Sequence, residues 1–216
     1  MKILVINPNS DSRMTRAIAR AAGRFAAGRF ETECVSSPGG PRFIETYEDE
    51  MKTAPGMLGL VRERESDSDA FVVACHCDPN LDLLKEATPK PVVGIGEASM
   101  KIASMLGHSF AVLSATAHSI PNKLALIRKY HLEGACASVR PAENGAYLAA
   151  ARTAVREDGA EVIVLGCAGM TGRAEKLQNA LRIPVVDPVV CGLIVASGLA
   201  AAGFGISRAR RYRGRD

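Results

Sequence analysis

Phe71-Val72-Val73-Ala74-Cys75 and Ile163-Val164-Leu165-Gly166-Cys167 are two hydrophobic runs, each closing on a small residue and a cysteine. Neither run alternates apolar with polar residues, the pattern of a strand buried on both faces of a parallel sheet. Cys75 is followed 16 residues later by Pro91-Val92-Val93, and Cys167 17 residues later by Pro184-Val185-Val186. One unit, strand–cysteine–helix–strand, thus occurs twice, and the chain reads as two similar α/β halves. Ligands of open α/β sheets bind outside the carboxyl ends of the strands. Two facing halves would bring both thiols to one small-molecule site.

The flanking sequence repeats the alternation. Strands are predicted over residues 2–7, 32–35, 70–74, 91–95, 110–113, 135–139, 161–165 and 185–186. Between them, helices are predicted from Met14 through Ala22, over 53–64, from Asp78 to 87, and over 97–106, 122–130, 143–157 and 172–181, with one more at the end. Asp78-Pro79 has the form of an N-cap followed by proline at the first helical position. Strands alternating with helices predict parallel sheets with helices on both faces.

Composition narrows the class. The chain has 216 residues, 47% hydrophobic and 23% charged, which excludes disordered, collagenous and coiled-coil descriptions. Six cysteines is an even number, but the apolar run at residues 3–6 is too short for a secretory signal. A cytoplasmic protein with reduced thiols is expected. The net charge of +4 resides in the last ten residues, which hold five Arg and one Asp; the remainder has 22 basic and 22 acidic residues. The tail reads as a solvated, frayed terminus, and no nucleic-acid partner is expected. Residues 189–206 carry no charge, but they are mostly small, so a buried helix is expected rather than a membrane span.

Two opposed thiols suggest a chemistry. Each cysteine precedes a helix, where unpaired N–H groups favour an anion, so both thiol pKa values are expected to be lowered. One thiolate removes a proton from a carbon acid and the other thiol protonates the opposite face, inverting the stereocentre. The developing enolate needs donors, available at Asn9 and Ser10 after the first strand and at Ser114, Ala115 and Thr116 after the first strand of the second half. No metal and no cofactor is called for. Cys75-His76-Cys77-Asp78 is contiguous rather than spaced like a zinc site, and Gly94-x-Gly96 lacks the third glycine of a dinucleotide fingerprint. Cys34, Cys136 and Cys191 are assigned to packing, and Cys77 is left open.

Four motifs in order carry a resemblance: Ile6-Asn7-Pro8-Asn9-Ser10, Ala74-Cys75-x-x-Asp78-Pro79, Val93-Gly94-Ile95-Gly96-Glu97-Ala98 and Leu165-Gly166-Cys167-Ala168-Gly169-Met170. Together they resemble the Asp/Glu/hydantoin racemase superfamily, nearest its hydantoin and allantoin racemase branch, from Lys2 to about Ala200. The resemblance implies two pseudo-symmetric Rossmann-like (flavodoxin-like) parallel-sheet domains with the active site in the cleft between them. It implies a first domain of residues 1–97 plus 188–216, a second, inserted, of 98–187, and a homo-oligomer. It implies Cys75 and Cys167 as the bases of a cofactor-independent reaction. Asn9, Ser10, Ser114, Ala115 and the backbone at Ala168 and Gly169 would line the substrate's carbonyl groups, with Ile44 beside its side chain. His76, next to the first base, is placed in the same substrate-binding set, together with Thr116.

Amino-acid racemases of the superfamily carry polar residues after both cysteines. Here Cys167 is followed by Ala168 and Gly169, which suits a flat ring better than a zwitterion. The expected activity is racemisation of 5-substituted hydantoins, allantoin included. An amino-acid racemase, a maleate-type cis–trans isomerase and a small-molecule-binding protein of the same fold stand as alternatives.

Overall fold

The computed structural model describes residues 1–214; Arg215 and Asp216, the end of the basic tail, lie outside the described residues. The first half runs β1 (Lys2–Asn7), α1 (Ser12–Ala26), β2 (Glu31–Ser36), α2 (Tyr47–Glu63), β3 (Ala70–Val73), α3 (Leu81–Ala87), β4 (Val92–Gly94) and α4 (Ile95–Leu106). The second runs β5 (Phe110–Ser114), α5 (Ile120–Lys129), β6 (Cys136–Pro141), α6 (Tyr147–Glu157), β7 (Val162–Leu165), α7 (Ala174–Leu181), β8 (Val185–Val186) and α8 (Pro188–Ala201). Each half forms a four-stranded parallel sheet, ordered β2-β1-β3-β4 in one and β6-β5-β7-β8 in the other. The two orders are the same, so the echo in sequence is an echo in topology.

The strands lack polar alternation because both their faces are buried. Successive side chains of a strand point to opposite faces. Ile3, Val5, Val72, Val112 and Val164 enter one core that also holds α8 residues Val189, Cys191, Leu193 and Ala196. Leu4, Ile6, Phe71 and Val73 fill a second cluster under α2 and α3, and Ala111, Leu113, Ile163 and Leu165 a third. The first core draws on both sheets, so the halves share it. The uncharged segment after Asp187 is largely this buried helix, and no helix among the described residues is long and apolar enough to cross a membrane.

Several expected boundaries move for local reasons. Helix α2 starts at Tyr47 rather than near residue 53, because Thr46 and Asp49 form a reciprocal capping box. The helix predicted over 143–157 begins at Tyr147, because Asn144 and Gly145 take positive φ. Asp78 is not the N-cap of the following helix: its φ is +46°, and α3 starts at Leu81. Its carboxylate instead accepts from the N–H groups of Gly96 (2.9 Å) and Glu97 (2.7 Å) and from the Tyr130 hydroxyl (2.7 Å). Asp78 thus caps α4 from a distance, and a Cβ on Gly94 would run into its carboxylate.

The second half solves the same problem in reverse. Asp187 is itself the N-cap of α8, accepting from Val189 and Val190 N–H. The loop after β7 contributes donors, the Thr171 hydroxyl and Gly172 N–H (both 2.7 Å to Oδ2).

The tail is not frayed where it is described. Ile206 N–H donates to Pro89 C=O, Arg208 to Glu86 C=O, and the Tyr212 hydroxyl to Asp82, so it folds back along α3. Glu33 on β2 sits between Arg64 and Lys2, and those two cations hold its carboxyl down to about 2. A depressed folded-state pKa adds stability above the ordinary value and loses it as pH falls through the depressed one. The melting temperature of Glu33→Gln should therefore lie below wild type at pH 6. The gap should close as pH drops from about 4.5 towards 2, and a gap that stays constant would refute the assignment.

Candidate active site

The register explains where the thiols end up. β3 last pairs at Val73 and β7 at Leu165, and each cysteine follows two residues later. Between them, Ala74 N–H donates to Ile6 C=O (2.8 Å) and Gly166 N–H to Leu113 C=O (2.9 Å). The two thiols therefore leave equivalent strand ends. A Cβ on Gly166 would strike the Leu113 carbonyl, so only glycine lets β7 continue so close to β5 at this point.

Cys75 and Cys167 line one cavity of about 140 Å³, room for a single small molecule. Asn9, Ile44, His76, Ala115, Thr116 and Ala168 line it as well. Three expected residues do not line it. Ser10 is exposed and its N–H donates to Pro41 C=O. Ser114 is buried and bonds Thr116 C=O (2.9 Å) and the Ser119 hydroxyl (2.7 Å), holding the loop after β5. Gly169 turns its N–H to Cys167 Sγ (3.4 Å).

Asn9 is fixed in one orientation. Its Oδ1 accepts from Asn7 Nδ2 and Asp11 N–H, while its Nδ2 meets only the Met14 thioether (3.2 Å). A thioether is a weak acceptor, so the amide retains donor capacity at the cavity wall.

The three nearby thiols are not alike. Cys75 Sγ and Cys77 Sγ lie 3.2 Å apart. The Cys77 thiol beside it holds Cys75 below its ordinary pKa, against the opposing effect of burial, and Cys77 is correspondingly pushed up. Cys167 departs from the expectation of a lowered pKa. Burial raises it, the charge of Cys75 raises it further, and the Gly169 N–H is too small a counterweight. Its helix start is a single 3-10 turn, Ala168–Met170. Cys34 and Cys191 are pushed up to about 12 and Cys136 to about 11 by burial, as packed cysteines should be.

His76 is 1% exposed. Its Nδ1 lies 3.3 Å from Lys123 Nζ and its Nε2 3.2 Å from Ser99 Oγ, which in turn donates to Ile95 C=O (2.6 Å). An ammonium can only donate, so Nδ1 accepts and Nε2–H donates to Ser99. Burial, with the nearby lysine charge, lowers the His76 pKa and keeps the ring neutral.

Glu50, Cys77, Ser119, Asn122 and Lys123 also line the cavity, and sequence reasoning did not assign them to it. The signal for Lys123 is its spacing to Leu126 and Ile127, which puts all three on the buried face of α5. For Glu50 it is the spacing to Thr53, Met57 and Val61 on the inner face of α2.

The comparisons with known proteins agree along the whole chain. The family model described as Asp/Glu/Hydantoin racemase matches residues 3–195. A hydantoin racemase of Paenarthrobacter aurescens is 37% identical, with 99% of this chain and 97% of that protein covered. The structure of an allantoin racemase from Klebsiella pneumoniae superposes with a TM-score of 0.94 at 32% identity, covering 100% of this chain and 94% of the other. That of an allantoin racemase from Pseudomonas fluorescens gives a TM-score of 0.94 at 30% identity, covering 100% and 97%. Duplicated topology, paired strand-end thiols and similarity over the full length lead to one conclusion: the chain belongs to the Asp/Glu/hydantoin racemase family and is an isomerase of the racemase type.

Proposed function

We propose that this racemase inverts the C5 stereocentre of a 5-substituted hydantoin, allantoin among the candidates, with Cys75 and Cys167 as its two bases. The observation that carries the reading is two thiols at equivalent strand ends on one small cavity, with pKa shifts of opposite sign. Cys75 is the more acidic of the pair, so it is assigned as the base in this direction and Cys167 as the acid. The Cys75 thiolate takes the C5 proton, forming an S–H bond as the C–H bond breaks. The electron pair moves into the ring as an enolate, and the thiol of Cys167 protonates C5 from the other face. Asn9 Nδ2 and the backbone N–H at Ala168, two residues of the cavity wall, are the proposed donors to the enolate oxygen. For the other enantiomer the roles exchange. Names of the relatives and the apolar pair Ala168-Gly169 after the second thiol support the ring substrate.

The packing of α8 on the first sheet supports the division into residues 1–97 plus 188–216 and an inserted 98–187. A cytoplasmic location and a homo-oligomeric state belong to the same proposal.

Polarimetry on both enantiomers of a hydantoin panel, allantoin included, tests the activity; no loss of rotation with any member would refute it. Cys77 has its own test. Cys77→Ala removes the hydrogen bond that lowers Cys75, so the thiolate should form at higher pH. The acid limb of the kcat/KM profile should move upward for the enantiomer that Cys75 deprotonates. An unmoved limb would show that Cys77 does not prime the base.

A further inference from the structure

Lys123 brings a buried cation to the cavity. It sits in the first turn of α5, is 5% exposed, and lines the same wall as both thiols. Among the described residues, no carboxylate lies within 4.0 Å of its Nζ, and its one hydrogen bond is to the neutral Nδ1 of His76. An ammonium carries three donors, so two remain for a ligand. Burying a charge is costly; the cavity thiols feel this one through space, but none of them pairs with it at hydrogen-bonding distance. Glu50, on the same wall, turns to Cys77 and forms no ion pair with Lys123; the lysine charge offsets only part of the upward push that burial gives its carboxyl.

Space exists on that side. Glu50, Cys77 and Asn122 are shared with a second cavity of about 130 Å³, bounded further by Tyr47, Ala125 and Lys129. A ring held between the thiols could extend a substituent past Lys123 towards it.

We propose that Lys123 is a specificity-determining residue that selects substrates bearing a carboxylate on the substituent of the racemised carbon. This rests on the racemase reading of the cavity and adds the substrate class. His76, braced by Ser99, orients the ammonium and leaves it unneutralised.

The test compares 5-(carboxymethyl)hydantoin with 5-(carbamoylmethyl)hydantoin, which share a shape and differ in charge. Exchange of the C5 proton in deuterated water gives kcat/KM for each. Wild type should favour the carboxylate by about tenfold or more, the size of one charge-assisted hydrogen bond. In Lys123→Met, or Lys123→Gln should the first not fold, that ratio should fall to about one. A wild-type ratio of one or below, or a ratio the variants leave intact, overturns the proposal. If Lys123 served only the enolate, both compounds would lose equally in the variants and the ratio would survive.

Should neither compound exchange its proton, the racemase reading is decided by the polarimetric panel instead. Calorimetric affinities of the same two compounds then decide the anion site alone. Tighter binding of the carboxylate, lost in the variant, upholds it; equal affinity or no binding of either compound overturns it.

Discussion

Cys75→Ser and Cys167→Ser should each lower racemisation by at least about a thousandfold, since each removes one of the two proposed acid–base groups. A serine hydroxyl keeps the shape but not the acidity, so the effect falls on rate rather than on folding. The sharper signature is proton exchange without inversion. In Cys167→Ser, the Cys75 thiolate can still remove the C5 proton of the enantiomer that presents it, and solvent deuterium returns from the same face. In Cys75→Ser the opposite enantiomer should exchange. Cys167 should then ionise more readily, because the charge that raised its pKa is gone. Racemisation above about one tenth of wild type in either variant, or exchange of both enantiomers in one variant, would refute the two-base mechanism.

The second large effect concerns stability. Asp78→Ala leaves the N–H groups of Gly96 and Glu97 without an acceptor in a site where Asp78 is 4% exposed, and it strips the Tyr130 hydroxyl of its partner. Losing a helix cap and exposing unsatisfied buried donors costs about 3 kcal/mol, or a fall of roughly 10 °C in Tm for a chain of this size. Asp78→Asn keeps one acceptor oxygen and should lose about half as much. A Tm within about 2 °C of wild type in Asp78→Ala would mean that α4 finds its cap elsewhere.

Asp78 also shows what the sequence could and could not disclose. Asp-Pro before a helix is a local signal, and it pointed to the nearest helix. The actual partners are Gly96 and Glu97, across a strand, and no local pattern encodes them. A trace remains in Gly94-x-Gly96: a helix start without a capping side chain needs one from outside, and bare backbone lets it approach. The thiols were legible for the opposite reason. Their local sequence occurs twice, and repetition of strand, small residue and cysteine fixes position without any knowledge of tertiary contacts. Their ionisation was not legible. Cys167 is raised by burial and by the charge of Cys75, both of them properties of the assembled cavity. Lys123 carries no signal by residue type, since a lysine in a helix ordinarily marks a solvated face; only Leu126 and Ile127 mark its side of α5 as inward.

The exchanged carboxylates of Asp78 and Asp187 limit how the halves can be recombined. A graft of the β7 loop into the first half, keeping its own α4, would leave the N–H groups at that helix's start without their capping carboxylate. The reciprocal graft would place two carboxylates at the start of α8, with like charges confined together. Loop and helix start can be transplanted only as one cassette, from β3 through the first turn of α4, or from β7 through the first turn of α8. Each half has thus become internally matched and mutually incompatible in its parts, so their common plan no longer makes them interchangeable.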